Sequence, residues 1–286
     1  MTTKKLNALY GLKWNPFTQD IPVEAIFKTP RFSQFCYRVE TLALEGGFAL
    51  ITGESGLGKS TLLRALYDHL SKIPEITVGE IVRPQSGLSD FYREMGALFG
   101  IDLRVSNRWG GYRGLRDKWR HHISSTLLRP VLLIDEAQEM PPIVLSELRL
   151  LSMERFDSVC LLTVVLAGDS RLTNSFKDEN LIPLGTRMRS RLTIEPWMKV
   201  QLIELLTDST RQAGNPALMS VGLTETLAEH AAGSPRVMMN LAADCLAIGA
   251  LKECRQLDEA LFFELFPPQG AGSGIRRKSA AAAIAK

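Results

Sequence analysis

Eight residues carry the most specific chemistry in this chain. Gly53, Glu54, Ser55, Gly56, Leu57, Gly58, Lys59 and Ser60 fit the pattern G-x-x-x-x-G-K-[ST]. Glycines at 53, 56 and 58 let the backbone curl until successive N–H groups face inward, and such a ring of donors binds oxyanions. A helical pattern follows, whose start adds the positive end of its dipole. Lys59 is expected to reach the β- and γ-phosphates of ATP. Ser60 is expected to give an oxygen to Mg²⁺, with Thr61 beside it. A glycine turn that contains a lysine by chance is the plain alternative. A strand before the loop and a helix after it favour the phosphate reading.

A second group of residues suits hydrolysis. VLLIDE, 131–136, ends a buried apolar run on two acids. In open α/β folds ligands sit at the carboxyl ends of the strands. Asp135 is therefore a candidate Mg²⁺ ligand, directly or through water, and Glu136 a candidate for polarising the attacking water. An ordinary acidic loop would explain the pair in isolation, but not its pairing with the upstream loop. LLTVVLAGD ends on Asp169, where a γ-phosphate or water contact is expected; a helix cap is the competing reading, because like charges repel. Arg187, Arg189 and Arg191 alternate in GTRMRSRLTIEPW and on one strand would share a face. A cation lent by a neighbouring subunit stabilises a transferring phosphoryl group; a solvated basic edge is the bland alternative. Arg236, in GSPRVMMNL, falls in a first helical turn. From there it can reach back to the γ-phosphate, or be a surface arginine.

These residues need a scaffold. Phe48–Thr52, Ile76–Val82, Val131–Ile134, Leu161–Leu166 and Leu192–Ile194 read as buried strands. Between them Thr61–Leu70, Leu88–Phe99 and Ile143–Met153 have helical periods. Near-continuous apolar strands alternating with helices predict an α/β fold, a P-loop NTPase parallel sheet with helices on both faces. After Lys199 the strand signals stop. Val200–Gln212 is helical up to Gly214. Thr224 is a candidate cap for a helix reaching Ala232, Ser234-Pro235 opens another, and Asp258 caps a last one. A small all-α lid domain is expected there.

The 286 residues suffice for about two domains. Apolar residues make up 45 % and charged ones 23 %, ordinary for a globular protein, and net charge is only +3. No leader pattern or membrane-length apolar run is present in the sequence, so a cytoplasmic location away from the membrane is expected. Cys36, Cys160, Cys245 and Cys254 lack metal-ligand spacing and read as reduced thiols. The last twenty residues hold Arg276, Arg277, Lys278 and Lys286 and no acid, and their Gly-, Ala- and Pro-rich composition predicts a disordered tail.

Taken together the pattern resembles the AAA+ ATPases, in the branch of the ExeA-like proteins and the transposition ATPases TniB, TnsC, IstB and MuB. LYGLKWNPF (9–17), GFALITGESGLGKSTLLRAL, VLLIDEAQEM, LLTVVLAGDSRL and GSPRVMMNL carry the likeness, in the family's order and over residues 9 to about 250. The resemblance implies that Trp14, Pro16 and Phe17 lie near the adenine. It makes Lys59, Ser60, Asp135 and Glu136 the ATP and Mg²⁺ residues. Arg191, with Arg189 as rival, becomes the arginine finger, and Arg236 the second sensor. Asp169 departs from the amide or hydroxyl that relatives carry. A homo-oligomeric ring or helical filament is also implied. The expected parts are an N-terminal segment near the nucleotide (1–30), the ATPase domain (31–196), the lid (197–266) and the tail (267–286).

Two functions fit. One is a regulator that assembles on double-stranded DNA with ATP, then recruits or activates a transposase. Residues 103–122 support it: Arg104, Arg108, Arg113, Arg116, Lys118 and Arg120 stand against Asp117 alone, with Trp109, Tyr112 and Trp119 interleaved. Cations with aromatics suit phosphate neutralisation and stacking, although a charge run is commonly just a solvated face. The other is an ExeA-like secretion ATPase. Such relatives carry a membrane anchor and a wall-binding domain after the ATPase, and neither is read here, so the transposition role is the one expected. A nucleotide switch acting on another protein stays open.

Overall fold

The computed structural model of the protein describes residues 3–101 and 108–267. The chain begins with helix α1 (Thr3–Tyr10) and, after an irregular stretch, α2 (Pro30–Glu45). The α/β part continues as β1 (Gly47–Thr52), α3 (Lys59–Ser71), β2 (Ile76–Ile81), α4 (Leu88–Leu98), α5 (Arg108–Ser125), β3 (Arg129–Ile134) and α6 (Pro142–Ser152). A short hairpin, β4 (Met153–Glu154) and β5 (Val159–Cys160), precedes β6 (Thr163–Gly168), α7 (Ser170–Ser175), α8 (Ile182–Gly185) and β7 (Met188–Thr193). Four helices follow: α9 (Lys199–Gln212), α10 (Val221–His230), α11 (Pro235–Leu251) and α12 (Glu259–Leu265).

Five strands form one sheet in the order β2-β3-β6-β1-β7, all parallel. Parallel neighbours need crossover helices, which is why helices cover both faces. The period of two divides the strand residues between two cores. Phe48, Leu50, Leu132 and Ile134 face α4, α5 and α6. Ala49, Ile51, Val131 and Leu133 face α2 and α3. The expected parallel sheet between helical layers is the observed architecture. The order puts the ends of β3, β6 and β1 side by side, which brings the phosphate loop and the acidic pair to one edge.

Local chemistry sets the helix limits. In α2, Phe32, Phe35, Cys36, Val39, Leu42 and Ala43 form a buried stripe at helical spacing. Thr29 Oγ1 caps its start by accepting from Phe32 N, and Pro30 occupies the first turn. It stops at Gly46, whose φ of 77° and approach to Cys160 O (2.5 Å from an added Cβ) admit no side chain. In α10 the cap is Ser220, which accepts from Leu223 N; Thr224, the expected cap, lies a turn inside the helix and donates to Ser220 O.

The lid helices share a third core around Leu206, Leu223, Leu227, Met238 and Leu246. The N-terminal segment belongs to that core through Tyr10, Leu12 and Phe17, while Ile26 sits among the α2 and α3 residues. Asn215 Nδ2 donates to Tyr10 O and Lys13 N to Ala213 O, so this segment is pinned to the lid by polar contacts as well. Trp197 N donates to Gly233 O where the lid joins the sheet domain. Among the described residues no helix is long and apolar enough to cross a membrane. Residues 268–286, with the expected disordered tail, lie outside the described residues, as does Arg104.

Candidate nucleotide site

The phosphate loop leaves β1 at Thr52 and enters α3 at Lys59. Gly53 N donates to Gly168 O, tying the loop's start to the end of β6. Gly56 and Gly58 have φ of 86° and 99°, which a side chain resists. No side chain caps α3, and the space where a Cβ of Gly58 would stand is open. The first N–H groups of α3 are thus left for an acceptor from outside the helix. Lys59 is 6 % exposed, and its Nζ donates to Gly53 O (2.8 Å) and Glu54 O (3.2 Å). A cation held under a curl of N–H donors suits an oxyanion of high charge.

Beside the loop lies a cavity of about 360 Å³. Its polar end is formed by the phosphate loop from Gly56 to Thr61 and by Glu136 and Arg236. Its apolar end brings Pro16, Phe17, Ile26 and Phe27 against Leu205 and Met239 of the lid. A heteroaromatic base with a charged chain matches that division. The cavity is therefore shared by three parts of the chain: N-terminal segment, sheet edge and lid.

The lid is fastened directly to the loop. Ser234 Oγ accepts from Val237 N to cap α11 and donates to Gly56 O at 3.5 Å. Arg236 N donates to Gly56 O (3.1 Å), and Arg236 Nη1 to Ser55 Oγ (3.0 Å). A Cβ on Gly56 would stand 3.0 Å from Ser234 Oγ, so this glycine also admits the lid. Arg64, which no motif singles out, donates from Nη1 to Gln19 O (2.8 Å) and from Nη2 to Ile21 O (2.6 Å). It thereby clamps the N-terminal wall of the cavity onto α3.

At the end of β3 the chain turns sharply. Glu136 has φ 48°, unusual for a residue with a side chain, and its N–H is taken by Asp135 Oδ1 at 2.9 Å. A 3-10 turn over Ala137–Glu139 follows and folds Gln138 back. Gln138 Nε2 donates to Glu136 Oε2 in a close contact, while Gln138 Oε1 accepts from Asp169 N at 3.3 Å.

Asp169 takes the competing role anticipated for it, as the cap of α7. Its Oδ1 accepts from Arg171 N (2.9 Å), and both oxygens accept from Arg171 Nε (3.2 and 3.0 Å). Those hydrogen bonds hold the carboxyl below its usual range, with Lys59 adding a smaller pull in the same direction. The side chain is thus engaged in the cap of α7.

The three arginines part company. Arg189 and Arg191 share the exposed face of β7, which among the described residues is an edge strand paired with β1. Arg187 precedes the strand and is spent on Pro183 O and Asp157. Arg189 pairs with Glu45 at 2.8 Å, and Arg191 Nη2 donates to Gly185 O at 2.8 Å.

Most described cations of the basic run have partners within the chain. Arg108 pairs with Glu147, itself 2 % exposed and bonded to Tyr92 Oη. Arg116 is buried, stacks on Tyr112 (4.9 Å) and donates to Leu150 O and Met153 O. Lys118 donates to Gly100 O, and Arg120 bridges Glu154 and Asp117. Trp119 is fully buried. Of the expected DNA-facing cations, Arg116 is thereby withdrawn into the fold, while Arg108, Lys118 and Arg120 each carry a partner of their own, with α5 packed against α4 and β3. Arg113 stays exposed, one turn from exposed Trp109, whose ring stacks on half-buried Tyr112.

Residues 43–176 match the family model described as AAA domain. General secretion pathway protein A of Aeromonas hydrophila is 32 % identical over 247 residues, covering 84 % of this chain. The chain spans 44 % of that relative's length. Among solved structures, Cdc6p of Pyrobaculum aerophilum superposes with a TM-score of 0.65 at 15 % identity, over 85 % of this chain and 67 % of that one. The Aeropyrum pernix ORC1 protein in complex with DNA gives 0.63 at 18 % identity, over 87 % and 67 %. At such identities these two structures speak for the fold alone.

Proposed function

We propose, from the premise that the chain carries an AAA domain on a P-loop NTPase fold, that it binds ATP in the cavity between phosphate loop, N-terminal segment and lid, and hydrolyses it. The observation that carries this is the lid's direct bond to the phosphate loop through Ser234 and Arg236, around a cavity with one cationic and one apolar end. In this reading Lys59 and the loop N–H groups hold the β- and γ-phosphates. Pro16 and Phe17 flank the base. Ser60 and Asp135 would hold Mg²⁺, which when bound spreads positive charge over the phosphate oxygens. Glu136 takes a proton from water as the water oxygen bonds to the γ-phosphorus. The bond from that phosphorus to the bridging oxygen breaks, and ADP and phosphate leave. Arg191 of a neighbouring copy would neutralise charge on the transferring group, with Arg189 as its rival.

Lys59→Ala tests the centre of this reading. It should abolish ATP binding measured by fluorescence titration; wild-type affinity in a folded Lys59→Ala protein would sink it.

For the work done with that energy, we favour assembly on double-stranded DNA and the recruitment or activation of a transposase. Its support here is the exposed Arg113 beside Trp109 and Tyr112. A secretion-associated ATPase is the second reading, favoured by the identity to General secretion pathway protein A. Electron microscopy of the protein with duplex DNA separates them. ATP-dependent coating of DNA supports the first. Bare DNA at low salt in the ATP, ADP and nucleotide-free states would overturn it and leave the second.

A further inference from the structure

We infer that Gln138 is a positioning residue for hydrolysis, joining the Glu136 carboxylate to the backbone at the end of β6. The inference rests on Glu136 being the group that activates water. Three observations carry it. Gln138 Nε2 donates to Glu136 Oε2, and Gln138 Oε1 accepts from Asp169 N at 3.3 Å. Only one orientation of the amide serves both neighbours, since a carboxylate needs a donor and a backbone N–H needs an acceptor. Gly168 leaves the room for it: a Cβ there would stand 2.6 Å from Gln138 Oε1.

The consequence is mechanical. Glu136 sits on a left-handed turn just past β3, with nothing from the strand ladder to fix its side chain. The amide occupies Oε2 and leaves the second carboxylate oxygen for a water. It also ties that aim to β6, whose end accepts from Gly53 N at the start of the phosphate loop. A shift of the phosphate loop is therefore passed through Gly168 and Asp169 to the amide, and from the amide to the carboxylate. The residue at 169 contributes its N–H, not its side chain, which explains how an acid is tolerated there.

The test uses the full chain and steady-state ATP turnover. Gln138→Met keeps the length and removes both hydrogen bonds. Gln138→Glu keeps an acceptor for Asp169 N and sets like charge against Glu136. Both are expected to lower kcat by about tenfold or more, with KM for ATP and the melting temperature unchanged, as for loss of a group acting only in the transition state. In a Glu136→Gln background, which should itself be slow, Gln138→Met should have no further effect, because the two residues act as one unit. Wild-type kcat in Gln138→Met, full additivity in the double variant, or normal turnover in Gln138→Glu would each overturn the inference. Normal turnover in Glu136→Gln alone would instead remove Glu136 from its role, a distinguishable failure.

Discussion

At the scale of single residues, Asp169 shows how one side chain is claimed by two demands. A carboxylate beside a phosphate is repelled, yet as a helix cap it is stabilising, and its bonds to Arg171 resolve the competition. Asp169→Asn separates cap from charge, because asparagine caps as well as aspartate. The folded carboxyl lies below its ordinary 3.8, so its charge contributes stability above that value and loses it as pH falls through the lowered one. Urea melts should therefore show Asp169→Asn slightly less stable than wild type at pH 7, by less than about 1 kcal/mol for an ion pair with an exposed arginine. The gap should close in strong acid. A gap unchanged down to the acid limit would mean that the charge contributes nothing. Because only the backbone N–H at 169 serves Gln138, turnover in Asp169→Asn should stay near wild type, and a kcat collapse there would restore the side chain to a sensing role.

At the scale of elements, α5 is the instructive case. Its sequence reads as cation and aromatic, and its apolar content is too low to announce a packed helix. Gly111, Leu115, Arg116 and Trp119 are nevertheless buried, and a Cβ on Gly111 would meet Tyr92 Cδ1 at 2.9 Å. Burial also lifts the Tyr92 hydroxyl well above its usual pKa, with the hydrogen bond to Glu147 adding to the rise. Gly111→Ala should cost about 1–3 kcal/mol through that overlap, read from chemical denaturation. An unchanged midpoint would mean that α4 and α5 are not closely packed there. The phosphate loop and the acids of 131–136 were legible because their chemistry fixes both residue types and spacing. What packs around them was not. Arg64 acts through the carbonyls of Gln19 and Ile21, and Gln138 through the N–H of Asp169, all far away in sequence. The long basic run misled for a related reason. An arginine that satisfies buried carbonyls and one that waits for a phosphate have the same letter, and only the position of β4, α6 and Glu147 tells them apart. Even β7, legible only as Leu192–Ile194, extends back to Met188 because pairing with β1 outweighs its polar alternation.

The same distinction changes how DNA contact has to be probed. Reversing Arg116 would break buried bonds, and reversing Arg120 would break its ion pairs to Glu154 and Asp117, before any DNA was met. Arg113→Glu is the clean variant. If duplex DNA is bound through this face, it should weaken binding at all sequences and flatten the dependence on salt by about one phosphate's worth of counterion release. The original salt slope would clear α5 of that role.

At the scale of the whole molecule, the proposed finger would have to come from a second copy. The cavity holds a cation at the phosphate loop and another on the lid, Lys59 and Arg236, but Arg189 and Arg191 stand on the outer face of the edge strand. A head-to-tail arrangement presents such an edge to the next copy's cavity, and repeating it yields a ring or a helix according to whether the rotation closes. Complementation tests this directly. A Lys59→Ala subunit cannot load ATP but keeps its arginine to lend, and an Arg191→Ala subunit loads ATP but lends nothing. Random mixing in equal amounts places a loaded site beside an intact arginine at about a quarter of the interfaces. Turnover of the mixture should rise well above the mean of the two inactive proteins and peak near equal proportions. A mixture no better than that mean at every ratio would place the arginine in its own subunit's structure, where Arg191 already donates to Gly185 O and β7 is held to α2 through Arg38. The sign of the outcome decides whether nucleotide state is also assembly state, because only an arginine acting across the interface makes each hydrolysis depend on a neighbour being present.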